Sequence, residues 1–235
     1  MPQSALRKKR SLKVKKNSYS QKLSGLKEEL GNTSLLIVSK TRSIDEIKSY
    51  YELGHRDFGE NRVQELSDKA LVLKDECPDI RWHMIGHLQS NKLNTLFSVP
   101  NLHAIHSVHD RELVEKMIKA EDKLDHQVLI FLQFNTSHET EKSGFETYTD
   151  LRASAELLVK CSKLKLAGLM TMGTLRTENF EAEAGRCFQE LVVEKEKLEN
   201  EFGFPLMTSM GMSQDYKIAL RENSDWVRLG TMMFA

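Results

Sequence analysis

Long apolar runs are missing from this 235-residue chain. None approaches the ~20 residues that a membrane-spanning helix needs, and no signal-peptide core follows the N-terminus. Cysteine is scarce: Cys77, Cys161 and Cys187 are far apart, form no C-x-x-C and leave one thiol over under any disulfide scheme, so a reducing compartment fits best. Excess charge of either sign is absent as well. With 34 basic and 34 acidic residues, nothing global points to nucleic acid or membrane as a partner. Acid is locally lacking at one end, where no Asp or Glu precedes Glu28 while Arg7, Lys8, Lys9, Arg10, Lys13, Lys15 and Lys16 crowd together. Residues 1–18 are therefore expected to form a basic, disordered tail on a cytoplasmic protein. Read as a presequence or a nuclear patch, the same tail would send a fraction to mitochondria or nucleus.

What is present can bury one sizeable core, with 40% hydrophobic and 29% charged residues. Leu23, Leu26 and Leu30 at helical spacing, stopped by Gly31-Asn32, predict a short helix over 19–30. Thereafter apolar runs of strand length alternate with helical stretches. Strands are expected at 35–40, 56–58, 80–85, 102–107, 128–134, 164–170, 206–209 and 226–229. Asp110 should cap the helix that runs to Lys123, and 135–146 reads as a polar loop at a strand's C-terminal end. About eight strands separated by helices predict a single α/β domain over 19–235, a (β/α)8 TIM barrel with one extra N-terminal helix. A doubly wound open sheet is the alternative, disfavoured because polar, Gly-bearing turns recur where barrel sites are built.

The chemistry begins at Lys40. The run LLIVSK places an ammonium at the C-terminal end of the first strand, where apolar walls would lower its pKa and favour attack on an aldehyde. The bland reading is a lysine that only ends a buried strand. After the last two strands, Ser209-Met210-Gly211-Met212-Ser213 and Gly230-Thr231 offer backbone N–H groups and hydroxyls suited to a phosphate. Barrel closure makes these turns neighbours of Lys40. A phosphorylated aldehyde that uses both is pyridoxal 5′-phosphate (PLP), held as a Lys40 Schiff base. Arg228 would then point at the pyridine nitrogen; as a donor only, it keeps that nitrogen unprotonated and the ring a poor electron sink.

LLIVSK, FGEN at 58–61, WHMIGHLQSNK at 82–92, NTSHETEKSG at 135–144, GLMTMG at 168–173, SMGMSQDY at 209–216 and VRLGT at 227–231 together resemble the YggS/PROSC family of PLP homeostasis proteins. The resemblance spans nearly everything after the first helix. It implies a barrel like the N-terminal domain of alanine racemase, a Lys40 aldimine, Arg228 at the ring nitrogen, and phosphate contacts from Ser213, Gly230 and Thr231. Asn61, near the ring hydroxyl, is carried over from FGEN. It further implies buffering or delivery of PLP, with PLP-requiring apoenzymes as recipients and no established reaction; a monomer is expected.

The competing reading is a PLP enzyme with weak racemase-like activity on a small amino acid. It would need a tyrosine base from a second, β-rich domain, for which these residues leave no room, and Tyr216 reads instead as packing or a rim hydrogen bond. A metal site from His83 and His87, or from His103, His106 and His109, is not expected. The first pair lies on a strand and turn and the trio alternates faces, although His87 is placed to border the cofactor.

Overall fold

The structure is a computed structural model that describes the backbone of residues 3–174 and 177–235 and the side chains of those residues from 17 onward. Eight parallel strands, β1 (Ser34–Val38), β2 (Asp57–Glu60), β3 (Arg81–Met84), β4 (Leu102–Val108), β5 (Val128–Gln133), β6 (Leu164–Met170), β7 (Met207–Met212) and β8 (Trp226–Leu229), form a barrel in sequence order. It closes where Leu35 pairs with Val227 and Leu36 with Arg228. The expected (β/α)8 barrel is therefore the observed one. Its strands lie between two apolar layers, which is why they read as near-continuous hydrophobic runs. Leu36, Ala104, Phe131, Ala167, Met170 and Trp226 fill the interior, and a larger cluster including Ile37, Phe58, Trp82, Ile105 and Val227 lies between sheet and helices. Period-two alternation sorts each strand between the two layers. On β8, Trp226 and Arg228 face in while Val227 and Leu229 face out.

Local signals set the helices. In α2 (Ile44–Tyr51), Ser43 and Glu46 make a capping box; α3 (Val63–Leu73) follows β2, and α4 (Leu93–Phe97) follows a 3₁₀ turn at Ser90–Lys92. Asp110 caps α5 (Arg111–Lys119) as expected, accepting from Leu113 N at 2.7 Å, but that helix stops at Lys119 and a separate 3₁₀ turn covers Glu121–Lys123. The outer ring continues through α6 (Tyr148–Val159), α7 (Phe180–Phe202), α8 (Tyr216–Arg221) and the short α9 (Thr231–Phe234).

The N-terminus departs from expectation. Helix α1 spans Gln3–Leu30, so most of the stretch expected as a disordered tail is helical. No Gly or Pro interrupts 3–24, and Lys, Arg, Leu and Ala all favour helix, so charge alone does not end it. Its last turns dock through buried Tyr19, Leu23, Leu26 and Leu30. Tyr19 stacks on Tyr50 of α2 at 4.6 Å and meets Phe234 of α9 edge-on, so the two chain ends share one aromatic cluster. Among the described residues, no helix is long and apolar enough to cross a membrane.

Candidate functional site

Leu36 faces the barrel interior, so Val38 and Lys40 on the same period should face its C-terminal mouth. A buried carboxylate, a half-buried one and a buried cation pin the backbone around Lys40. Lys69 of α3 donates to the Ser39 carbonyl at 2.8 Å, to Glu60 at 2.8 Å and to Glu65 at 2.7 Å. Ser39 donates to the same Glu60 oxygen at 2.7 Å, and the Thr41 N–H, in a left-handed turn with φ of 62°, donates to Glu65 at 2.6 Å. Both residues flanking Lys40 are thereby held by one ion cluster. Burial raises the Glu60 carboxyl above its usual range against the opposing bonds from Lys69 and Ser39. One expectation is corrected here: Lys40 is exposed, not walled in by apolar side chains, because β1 ends at Val38 and the lysine stands two residues beyond it.

Lys40 lines a cavity of about 380 Å³ at the barrel mouth, together with Asn61, His87 and Arg228. The volume is that of a small-ligand site. Asn61 reaches it because β2 ends at Glu60 and the turn after β3 packs directly against it: a Cβ on Gly86 would sit 2.1 Å from the Asn61 carbonyl oxygen, so only glycine fits. Arg228 is buried. Its Nη1 donates to the Ser209 carbonyl at 2.6 Å and hydroxyl at 2.9 Å, and its Nη2 to the Thr171 carbonyl at 2.8 Å. Burial lowers its pKa to about 10, with the Asp215 carboxylate opposing, which leaves it a cation at neutral pH.

Three of the six sequence-predicted residues, Lys40, Asn61 and Arg228, thus meet at one cavity. Ser213, Gly230 and Thr231 do not line it. Ser213 follows Met212, which does, on a turn that Gly211 permits with φ of 94°, and Gly230 packs against the lining residue Val38. Gln133, Lys142 and Ser143 also line the cavity and were not singled out from sequence. Gln133 ends β5 itself, and the only signal for Lys142 and Ser143 is the polar loop after it, whose matched motif carried no residue-level role. His87 borders the cavity as expected. Tyr216, expected to pack or to make a rim hydrogen bond, donates to Glu29 of α1 at 3.0 Å.

The histidines do not gather as the sequence pairs would have them. Asp57, His83 and His103 bring ligand atoms within 4.8 Å of one another at the barrel floor. Arg81 already grips the Asp57 carboxylate and His83 bonds it at 3.1 Å, while the His103 ring lies 5.2 Å from that of His83.

Residues 14–235 match the sequence model described as the alanine racemase N-terminal domain. The pyridoxal phosphate homeostasis protein of Schizosaccharomyces pombe is 35% identical over 203 residues, which is 86% of this chain and 84% of that one. The chain belongs to the family of pyridoxal phosphate homeostasis proteins. Two solved structures of PipY from Synechococcus elongatus agree in fold. The form without PLP gives a TM-score of 0.84 at 32% identity, covering 92% of this chain and 99% of that one. The form with PLP bound gives 0.81 at 31%, covering 92% and 100%.

Proposed function

We propose that this protein binds PLP at the barrel mouth and serves intracellular PLP homeostasis by buffering or delivery rather than by turnover. What carries the reading is the convergence of Lys40, Asn61 and Arg228 on one ligand-sized cavity, in a chain whose family relatives are named for PLP homeostasis and of which one has been solved with PLP bound. The donor set suits the group. Lys40 would supply the amine that holds the aldehyde carbon, water being released as the bond forms. Arg228 supplies N–H donors and no acceptor, as an unprotonated ring nitrogen requires. Ser213, Gly230 and Thr231 provide the phosphate end from the two turns beside Met212 and Val38.

Bound here, PLP would supply an electrophilic carbonyl and a ring able to accept electrons. The chain's own residues temper the second property. An arginine at the ring nitrogen cannot protonate it, and Tyr216 is committed to Glu29 and does not line the cavity. Purified protein should be yellow, and borohydride should fix the cofactor on the peptide that carries Lys40. Colourless protein that takes up no added PLP would overturn the reading. Exchange of the alanine α-hydrogen in deuterated water above the rate of free PLP would replace homeostasis with racemase-like catalysis.

A further inference from the structure

A line of buried polar side chains crosses the barrel interior from floor to mouth. Asp57 opens β2 at the floor, where Arg81 grips it, and His83 Nε2 lies 3.1 Å from its Oδ1. His83 Nδ1 is 3.0 Å from His106 Nε2, and His106 Nδ1 is 2.8 Å from the Ser209 hydroxyl. Ser209 in turn accepts from Arg228, which borders the mouth cavity. His83, His106 and Ser209 are fully buried, and Asp57 and Arg228 nearly so. His106 stacks flat on Phe131 at 4.2 Å and His83 lies 5.2 Å from the Trp226 ring, so apolar surfaces flank the chain.

Chemistry fixes the direction of every link. Although burial opposes it, hydrogen bonds from His83 and Arg81 hold the Asp57 carboxyl at about 2, so it is an ionised acceptor and His83 must present Nε2–H. Burial keeps both rings neutral by lowering their pKa values. A neutral ring with Nε2–H has Nδ1 as acceptor, so His106 must donate from its own Nε2. His106 Nδ1 is then an acceptor too, and takes the Ser209 proton. Ser209 Oγ, having given its hydrogen, offers its lone pairs to Arg228. The four bonds run one way, and bonds that point the same way polarise one another.

We propose that Asp57 is a positioning residue for the mouth: through the sequence Arg228 to Ser209 to His106 to His83 to Asp57, each donating to the next, the floor carboxylate sets how Arg228 is held and charged where it meets the ligand. Arg228 uses three N–H groups on Ser209 and Thr171. Of the five that a guanidinium carries, about two are left for a ligand in the cavity. Their direction depends on Ser209 staying an acceptor, and hence on both imidazole tautomers. The consequence for the cofactor rests on the PLP reading above; the tautomers do not.

The test therefore has two arms. In cofactor-free protein labelled with ¹⁵N-histidine, His83 and His106 should both appear as neutral Nε2–H tautomers. In Asp57→Asn, whose amide can donate as well as accept, the Nδ1–H fraction of His106 should rise at least ~5-fold. A protonated Nδ1 on either ring of the unmodified chain, or an unchanged His106 in the variant, overturns the proposal. In PLP-loaded protein, Asp57→Asn should lower the pH midpoint of the visible absorption change by ~0.3 units or more, since a buried negative charge has been removed. Ser209→Ala, which cuts the line, should abolish that shift in the double variant; an equal shift with or without Ser209 overturns the coupling. Should Asp57→Asn fail to fold, the tautomers of the unmodified chain still decide the proposal. Protein that takes no PLP refutes the function proposed above, while the tautomer arm still decides the line of bonds.

Discussion

At the scale of single residues, the cost of burying charge decides most outcomes. Lys69 and Glu60 lie inside the protein as an ion pair of 2.8 Å, and Lys69 also serves the Ser39 carbonyl. Removing one partner strands the other. Lys69→Met is expected to lose about 3 kcal/mol in urea unfolding, whereas Lys69→Met with Glu60→Gln should recover most of it, because neither charge then remains unpaired. Equal losses in the single and double variants would refute the pairing. Asp57 illustrates the pH side of the same physics. Its folded pKa of about 2 lies below the ordinary aspartate value of 3.8. The stability it contributes is thus present above pH ~3.8 and is lost as pH falls through ~2, and by linkage amounts to about 2 kcal/mol. Asp57→Asn should flatten the acid limb of the stability profile over that window, as read by denaturation at a series of pH values.

At the scale of elements, the two ends of the chain depend on each other. Tyr19 of α1 is buried against Tyr50 of α2 and Phe234 of α9, and Tyr50 donates to the Met233 carbonyl at 2.6 Å. Because α9 begins at Gly230-Thr231, this cluster also anchors one proposed phosphate turn. Tyr19→Ala is expected to cost about 3 kcal/mol by cavity formation, measured by chemical denaturation, with faster hydrogen exchange in 231–234 than elsewhere in the barrel. The strands and most helices were legible in sequence for a physical reason. Buried parallel strands are apolar runs closed by Gly and polar turns, and caps such as Asp110 act within three residues of themselves. The barrel mouth was legible through Lys40 and Arg228, which sit at strand ends. Unreadable were the partners set by register across the sheet: Lys69 on Ser39, His83 on His106, His106 on Ser209. Each joins residues whose meeting depends on where a strand starts, and no local pattern encodes that. The helicity of 3–18 is carried by the absence of any helix breaker, a weaker signal in the sequence than the basic charge beside it.

For the whole molecule, the mouth cavity is assembled from loops and strand ends spread from Val38 to Arg228, so no local segment contains it. Ligand binding must therefore stabilise the barrel as a unit. A ligand present at a hundred times its Kd stabilises the folded state by about 2.7 kcal/mol, and each kcal/mol raises Tm by ~2–4 °C in a domain of this size. Saturating PLP should thus raise the Tm of the unmodified protein by ~5–10 °C in differential scanning fluorimetry. Lys40→Ala separates site from scaffold. Its side chain is exposed at the mouth, so the unliganded variant should unfold within ~0.5 kcal/mol of the parent. With the proposed covalent bond removed, the Tm gain on adding PLP should shrink to what the proposed phosphate turns and Arg228 supply alone, and borohydride should leave no adduct on the peptide. A Lys40→Ala protein that keeps the full thermal shift would place the ligand elsewhere on the barrel. One that unfolds without PLP would show that Lys40 supports the fold and not only the site.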